Sequence, residues 1–299
     1  MPSRDTDAYL CGESLFSTMC RLLGVLASPN TPAEPWLVGS ERSLLAQSNA
    51  SADSAQKDGW GIAWYDERRK VRLEKGVGGA YVVGERERFV RTAQQAHGPV
   101  VIGHLRHASN PMNLPHERLI ALENSQPFVH GSAVFAHNGS IPFPRETRPM
   151  LGPFESKVQG VNDSEIFFWL FLRHVELTGN PLTAYVNTTN DIRSVWKAQK
   201  RLSTEPFSAL NILFSRGPNE LWAFCRWTGD HGGSLLDPER PYFEMVYAAD
   251  SQHLVVGSEP FDSRVGAWRP IPNGTYLSAQ AEQGLIGVGT GPIPAPTPG

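Results

Sequence analysis

Apolar and polar positions along this chain alternate in short runs. Runs at 20–27, 59–65, 71–75, 100–108, 132–139, 208–215, 220–227, 243–249, 253–258 and 274–279 are rich in β-branched or aromatic residues. Each is bounded by Gly, Pro, Asn or Asp, a pattern that predicts strands. Helical signals are fewer. The stretch 85–96 holds good helix formers, and 162–179 opens on Asn-Asp-Ser-Glu and closes at Gly179, a capped and acid-led first turn with a glycine stop. The stretch 181–202 predicts a further helix, with a break near Asn187 to Asn190. Segments 110–130 and 140–160 read as loops. Strands outnumber helices, and the helices cluster between two groups of strands. That order predicts an α+β fold with antiparallel sheets rather than alternating βαβ units.

The ends look different from the middle. Residues 1–19 carry charges, Ser, Thr and Pro without the apolar core of a secretory signal. They are expected to be a disordered lead, a propeptide or a mis-assigned start. Residues 20–284 form the expected domain, and the Pro/Gly-dense segment 285–299 is expected to be a flexible tail. With 27 Lys plus Arg against 30 Asp plus Glu, the net charge of −3 gives no electrostatic case for nucleic acid or a membrane surface. No apolar run approaches the roughly 18 residues of a membrane span. The longest, "IFFWLFL" at 166–172, reads as a buried element. Three cysteines, Cys11, Cys20 and Cys225, and no signal point to a reducing cytoplasm without a disulfide framework. The sequon at 138–140 is then a chance match.

Four places carry candidate chemistry. Cys20 follows Met19. An N-terminal cysteine would place a thiol and an amine of pKa about 7.7–8.0 on one carbon, nucleophile and base together. The plain alternative is a small apolar residue at a strand edge. "AHNGSI" at 136–141 ends a strand in Asn-Gly, either a turn or an oxyanion hole built from the Asn138 amide and the Gly139 backbone N–H. Arg106 lies in the apolar run "GHLRHAS". It either faces solvent or turns inward to meet a carboxylate ligand. Asp163 in "VNDSEIFF" is a helix cap, a carboxylate for an ammonium group, or both. His104 and His107 are three apart on a strand, hence on opposite faces, so a metal site is not expected there. Cys225, within "LWAFCRW", reads as a buried structural thiol.

The ordered set Cys, Arg, Asn-Gly, Asp resembles the class II glutamine amidotransferases, members of the N-terminal-nucleophile hydrolases. The matching residues are Cys20 of "MCRLLG", Arg106 and Ser109 of "HLRHAS", Asn138 and Gly139 of "AHNG", and Asp163 of "NDSE". "KDGWGIAWY", "ENSQPF" and "VVGSEPF" are similar to single-domain members, which include γ-glutamyl amidohydrolases such as the one in ergothioneine biosynthesis. The resemblance spans about residues 19 to 280. It implies a four-layer αββα sandwich of two antiparallel sheets. It also implies that Cys20 attacks a γ-carbonyl, that Asn138 and Gly139 hold the oxyanion, that Arg106 with Ser109 binds an α-carboxylate, and that Asp163 binds an α-ammonium. Trp60 and Gly61 are expected to shape the pocket; Ser258 and Glu259 match without a role. No cofactor and no metal are implied. The expected partner is a small γ-glutamyl substrate. Ammonia either goes free or passes to a separate subunit, since no synthase-like stretch follows residue 280. A catalytically silent glutamine sensor is the rival reading, because 18 residues precede Met19 and a blocked Cys20 nitrogen cannot act as base.

Overall fold

The computed structural model describes residues 19–51, 54–199 and 203–295. Its strands, in chain order, are β1 (Arg21–Pro32), β2 (Trp60–Tyr65), β3 (Val71–Gly76), β4 (His97–Leu105), β5 (Phe128–His130), β6 (Ala133–Asn138), β7 (Asn211–Ser215), β8 (Glu220–Cys225), β9 (Met245–Ala249), β10 (His253–Gly257), β11 (Arg269–Ile271), β12 (Thr275–Glu282) and β13 (Leu285–Pro292). The helices are α1 (Leu44–Gln47), α2 (Glu85–Gln95), α3 (His116–Leu119), α4 (Pro144–Thr147), α5 (Asp163–Thr178) and α6 (Pro181–Ala198). The strands form two sheets, ordered β11-β9-β10-β1-β4-β2-β3 and β13-β12-β8-β7-β6-β5, with antiparallel pairing throughout.

Alternation along the strands divides the core into layers. Leu22 and Leu26 of β1, Val100 and Ile102 of β4, Val134 and Ala136 of β6, and Leu213 of β7 fill the gap between the sheets. The opposite face of the first sheet, with Leu23, Val25 and Val101, packs against Trp36, Leu44 and Phe89 from the short helical turns and α2. The opposite face of the second sheet, with Phe135, Ile212 and Phe224, packs against α5 and α6. The result is the expected αββα sandwich.

Why α5 is apolar on nearly every side follows from its place. It runs between the second sheet, α6 and the 148–157 segment, so Phe167, Phe168, Trp169, Leu170 and Phe171 are all buried. Its N-cap is Asn162, whose side chain accepts from Ser164 N, so Asp163 is the first helical residue and not the cap. Gly179 ends the helix in the left-handed conformation, φ +67°.

Three expectations are corrected. The helix over 181–198 is unbroken: the Thr188 and Thr189 hydroxyls donate to the Ala184 and Tyr185 carbonyls at 2.8 and 2.9 Å, so the polar stretch is satisfied inside the helix. The segment 140–160 is not all loop, since α4 is followed by 3₁₀ turns over Arg148–Lys157 that kink at Gly152, φ +57°. The segment expected as a flexible tail supplies β13, paired with β12 from Thr275↔Pro292 to Glu282↔Leu285. An edge strand is held by its main chain, so it needs no apolar alternation. Ile293 beyond it is buried on the helix side of the sheet. Residues 1–18, with Cys11, lie outside the described residues, as do 296–299.

Candidate active site

The alternation that builds the inter-sheet core also aims the candidate residues. In β1 the gap-facing positions are Leu22 and Leu26, which puts Cys20 on the same side, at the end of the strand. In β4 they are Val100 and Ile102, followed by His104 and then Arg106. The β1–β4 register pairs Arg21 with Leu105 and so sets Cys20 opposite Arg106. In β6 the series Val134, Ala136 continues to Asn138 from the facing sheet. All three therefore meet at one end of the sandwich.

Cys20 is buried, and its Sγ donates to the His107 carbonyl at 3.5 Å. Burial pushes the thiol up to about 11, against the pull of the His107 hydrogen bond and the Arg106 and Arg21 cations. A neutral thiol of this kind needs a base. Arg106 is turned inward and buried, not outward. Its Nη1 donates to the Asp58 and Leu119 carbonyls at 3.1 and 2.9 Å, and its remaining guanidinium nitrogens make no hydrogen bond among the described residues. Burial pulls its pKa down, while Cys20, Asp58 and Asp163 raise it.

Asp163 is fully enclosed. Its Oδ2 accepts from Ile141 N at 2.7 Å, and its Oδ1 accepts from Ser109 Oγ at 3.3 Å. Burial raises its pKa against these bonds and the Arg106 charge. Ser109 and Asp163 thus sit together, two residues beyond Gly139 by way of Ile141. The Asn138 side chain makes no hydrogen bond among the described residues, and its Oδ1 is buried and unpartnered. Gly139 adopts φ +150°, and a Cβ there would lie 1.9 Å from the Ala209 carbonyl oxygen. Only glycine fits. Ala209 shares a small buried cluster with Met19 and Phe243, which brings the chain next to Cys20 near the Asn-Gly corner.

Several residues that hold this site carried no role in the sequence. Asp58 of "KDGWG" accepts from Ala108 N at 2.8 Å and bonds His116, fixing the loop that carries Ser109. Gln126 of "ENSQPF" bonds both the N–H and the carbonyl of His137, at 2.6 and 3.2 Å, and so fixes β6 just before Asn138. Asn124 Oδ1 accepts from Val161 N, tying the same stretch to the approach of Asp163. Gly61 is held tight, with no room for a Cβ beside the Gln126 carbonyl. Trp60 is a correction: it faces away from the gap, donates to Glu85 at 2.6 Å and packs edge-on against Phe89, so it does not shape the pocket. Cys225 is a buried thiol pushed up to about 12 by burial, hydrogen-bonded to Phe243 O and Met245 N.

The architecture is that of known structures. A glutamine aminotransferase class-II domain protein from Silicibacter pomeroyi matches with a TM-score of 0.64 at 20% identity, over 93% of this chain and 100% of its own. Glutamine phosphoribosylpyrophosphate amidotransferase from B. subtilis matches with a TM-score of 0.58 at 18% identity, over 92% of this chain and 49% of its own. These likenesses show the fold, a sandwich of two antiparallel sheets with helices on the outer faces. No curated protein matches the chain. The family model of class-II glutamine amidotransferases matches residues 19–284, and the chain belongs to that family. Its family chemistry is the hydrolysis of the glutamine amide with transfer of ammonia. No helix among the described residues is long and apolar enough to cross a membrane.

Proposed function

We propose that this chain hydrolyses the γ-amide of glutamine, or of a γ-glutamyl compound, through a thioester on Cys20. The observation that supports it is the meeting of Cys20, Arg106 and Asn138 at one end of the inter-sheet gap, with Ser109 and Asp163 beside them. The Cys20 amine takes the thiol proton as Sγ bonds the γ-carbon. The Asn138 amide and the Gly139 N–H receive the oxyanion, where one donor is worth about 100- to 1000-fold in rate. The amine then returns the proton to the leaving nitrogen, and ammonia or an amine departs. Water cleaves the thioester to a γ-carboxylate and restores the thiol. Arg106, with Ser109, takes the α-carboxylate, and Asp163 takes the α-ammonium. A buried cation and a buried anion of this kind are each neutralised by the matching half of a zwitterion.

Cys20 here is joined to Met19, so its nitrogen is an amide. The working form begins at Cys20, either after removal of an initiating Met19 or after release of residues 1–19 as a propeptide. The domain then runs to about residue 284. We place the reaction in the cytoplasm, with ammonia released or handed to a separate subunit. Turnover on glutamine and on a panel of γ-glutamyl dipeptides tests the reading. Glutamate should form with at least one substrate, and Cys20→Ala should abolish it. Full turnover in Cys20→Ala would refute the mechanism, whereas binding without turnover would favour the silent sensor.

A further inference from the structure

Arg21 is wholly buried yet has no carboxylate partner among the described residues. Its Nη1 donates to the Cys20 carbonyl at 3.3 Å, and its Nε and Nη2 are buried without an acceptor. Its guanidinium stacks over the Tyr242 ring, 4.6 Å from the centroid. A buried cation without a counter-ion costs several kcal/mol. Such a group is retained where a site makes use of it.

Tyr242 in turn grips the residue before Cys20. Its hydroxyl accepts from Met19 N at 2.8 Å and donates to Met19 O at 3.2 Å. The "GSEPF" stretch, matched but unassigned in the sequence, holds this arrangement in place. Ser258 N donates to Leu22 O and Leu22 N donates to Ser258 Oγ, both at 3.1 Å, which clamps the start of β1. Glu259, wholly buried, pairs with Arg240 and accepts from Leu235 N at 2.8 Å and Ser234 Oγ at 3.1 Å. Arg240 also donates to the Ser258 carbonyl at 2.9 Å. The loop that carries Tyr242 is thereby pinned to β1, the strand that follows Cys20.

Cleavage of the Met19–Cys20 bond removes both partners of the Tyr242 hydroxyl. It also creates an amine one bond from the carbonyl that Tyr242 had held, on the residue whose own carbonyl Arg21 holds. We propose that Arg21 and Tyr242 are positioning residues for this amine: the guanidinium keeps it neutral, and the phenol oxygen accepts one of its hydrogens to aim its lone pair at the thiol. The inference rests on the proposed release at Cys20.

Other charges facing Cys20 are Arg106, just beyond β4, and Asp163 from α5, along with the His107 carbonyl. A bound amino-acid head group would neutralise Arg106 and Asp163 alike. Arg21 would then be the uncompensated charge beside the amine, and a nearby cation disfavours the ammonium form.

The test uses full-length protein processed to begin at Cys20, with ¹⁵N-labelled cysteine, and follows the amine nitrogen by NMR against pH. The wild-type amine should titrate below the ordinary value of about 7.7. Arg21→Gln should raise its midpoint by about one unit, a tenfold loss of neutral amine below that midpoint. Arg21→Lys, which keeps the charge, should stay within a few tenths of wild type. Tyr242→Phe keeps the ring under the guanidinium and should lower kcat about tenfold at unchanged KM. Equal titration in wild type and Arg21→Gln overturns the electrostatic role. Should Arg21→Gln not fold, a wild-type or Arg21→Lys amine titrating at the ordinary value does the same. An unchanged kcat in Tyr242→Phe overturns the orienting role. Absence of turnover in wild type with a depressed amine would count against the proposed function alone.

Discussion

On the proposed reading, Asp163 is a residue arranged for a ligand rather than for the fold. Both carboxylate oxygens are occupied from within, by Ile141 N and Ser109 Oγ, yet burial still raises its pKa. A carboxylate with a folded pKa above its unfolded value binds more protons when folded. Stability is therefore lost as pH rises through that interval, and the ionised residue is a burden on the empty protein. Asparagine at this place keeps an acceptor for Ile141 N and removes the charge. Asp163→Asn should leave the melting temperature at neutral pH unchanged or higher. It should also lower kcat/KM roughly 30- to 1000-fold, the ~2 to 4 kcal/mol of a lost buried charge partner. A melting temperature that falls, with kcat/KM intact, would make Asp163 a structural residue.

Among the elements, the loop before β9 and the turn after β10 bind each other through the Arg240–Glu259 pair, whose side chains are 10% and 0% exposed. Removing one partner strands the other in the interior. Glu259→Ala should cost about 3–5 kcal/mol in denaturant unfolding. The double change Arg240→Met with Glu259→Leu should recover most of that stability and still reduce turnover, because the bonds to Leu235 N and the Ser258 carbonyl go with it. Recovery of both would separate this element from the active site. The elements also show what a sequence pattern can convey. The strands of the inter-sheet core were legible because one-sided burial imposes a period of two. Strand β13 was not, since an edge strand is held by its main chain and Gly287, Gly289 and Gly291 carry no pattern to read. Nor was the continuity of α6, where buried Thr188 and Thr189 satisfy their hydroxyls on the preceding turn.

At the scale of the whole molecule, the candidate site lies at one end of the sandwich, where its side chains are buried. Cys20, Arg106, Ser109, Asn138, Gly139 and Asp163 were singled out because their types and order in the chain resemble a family pattern, and the structure brings them together. Their convergence has a simple physical basis: strands from the two sheets end together, and their alternation continues past the apolar core into polar residues. Asp58, Gln126 and Tyr242 were not legible as parts of the site. Each acts through a backbone group outside its own element, Gln126 on His137 across 11 positions and Tyr242 on Met19 across 223, and no local pattern records such a bond. The proposed chemistry requires Cys20 to be both the terminal residue and the nucleophile. The most direct measurement is covalent trapping with a glutamine analogue that carries a diazoketone in place of its amide, read by intact mass and peptide mapping. A chain that begins at Cys20 is predicted to gain one adduct, on Cys20, and to lose all turnover, while a chain in which residues 1–19 cannot be released gains none. An adduct on another residue, or full turnover by the unreleased chain, would contradict the account.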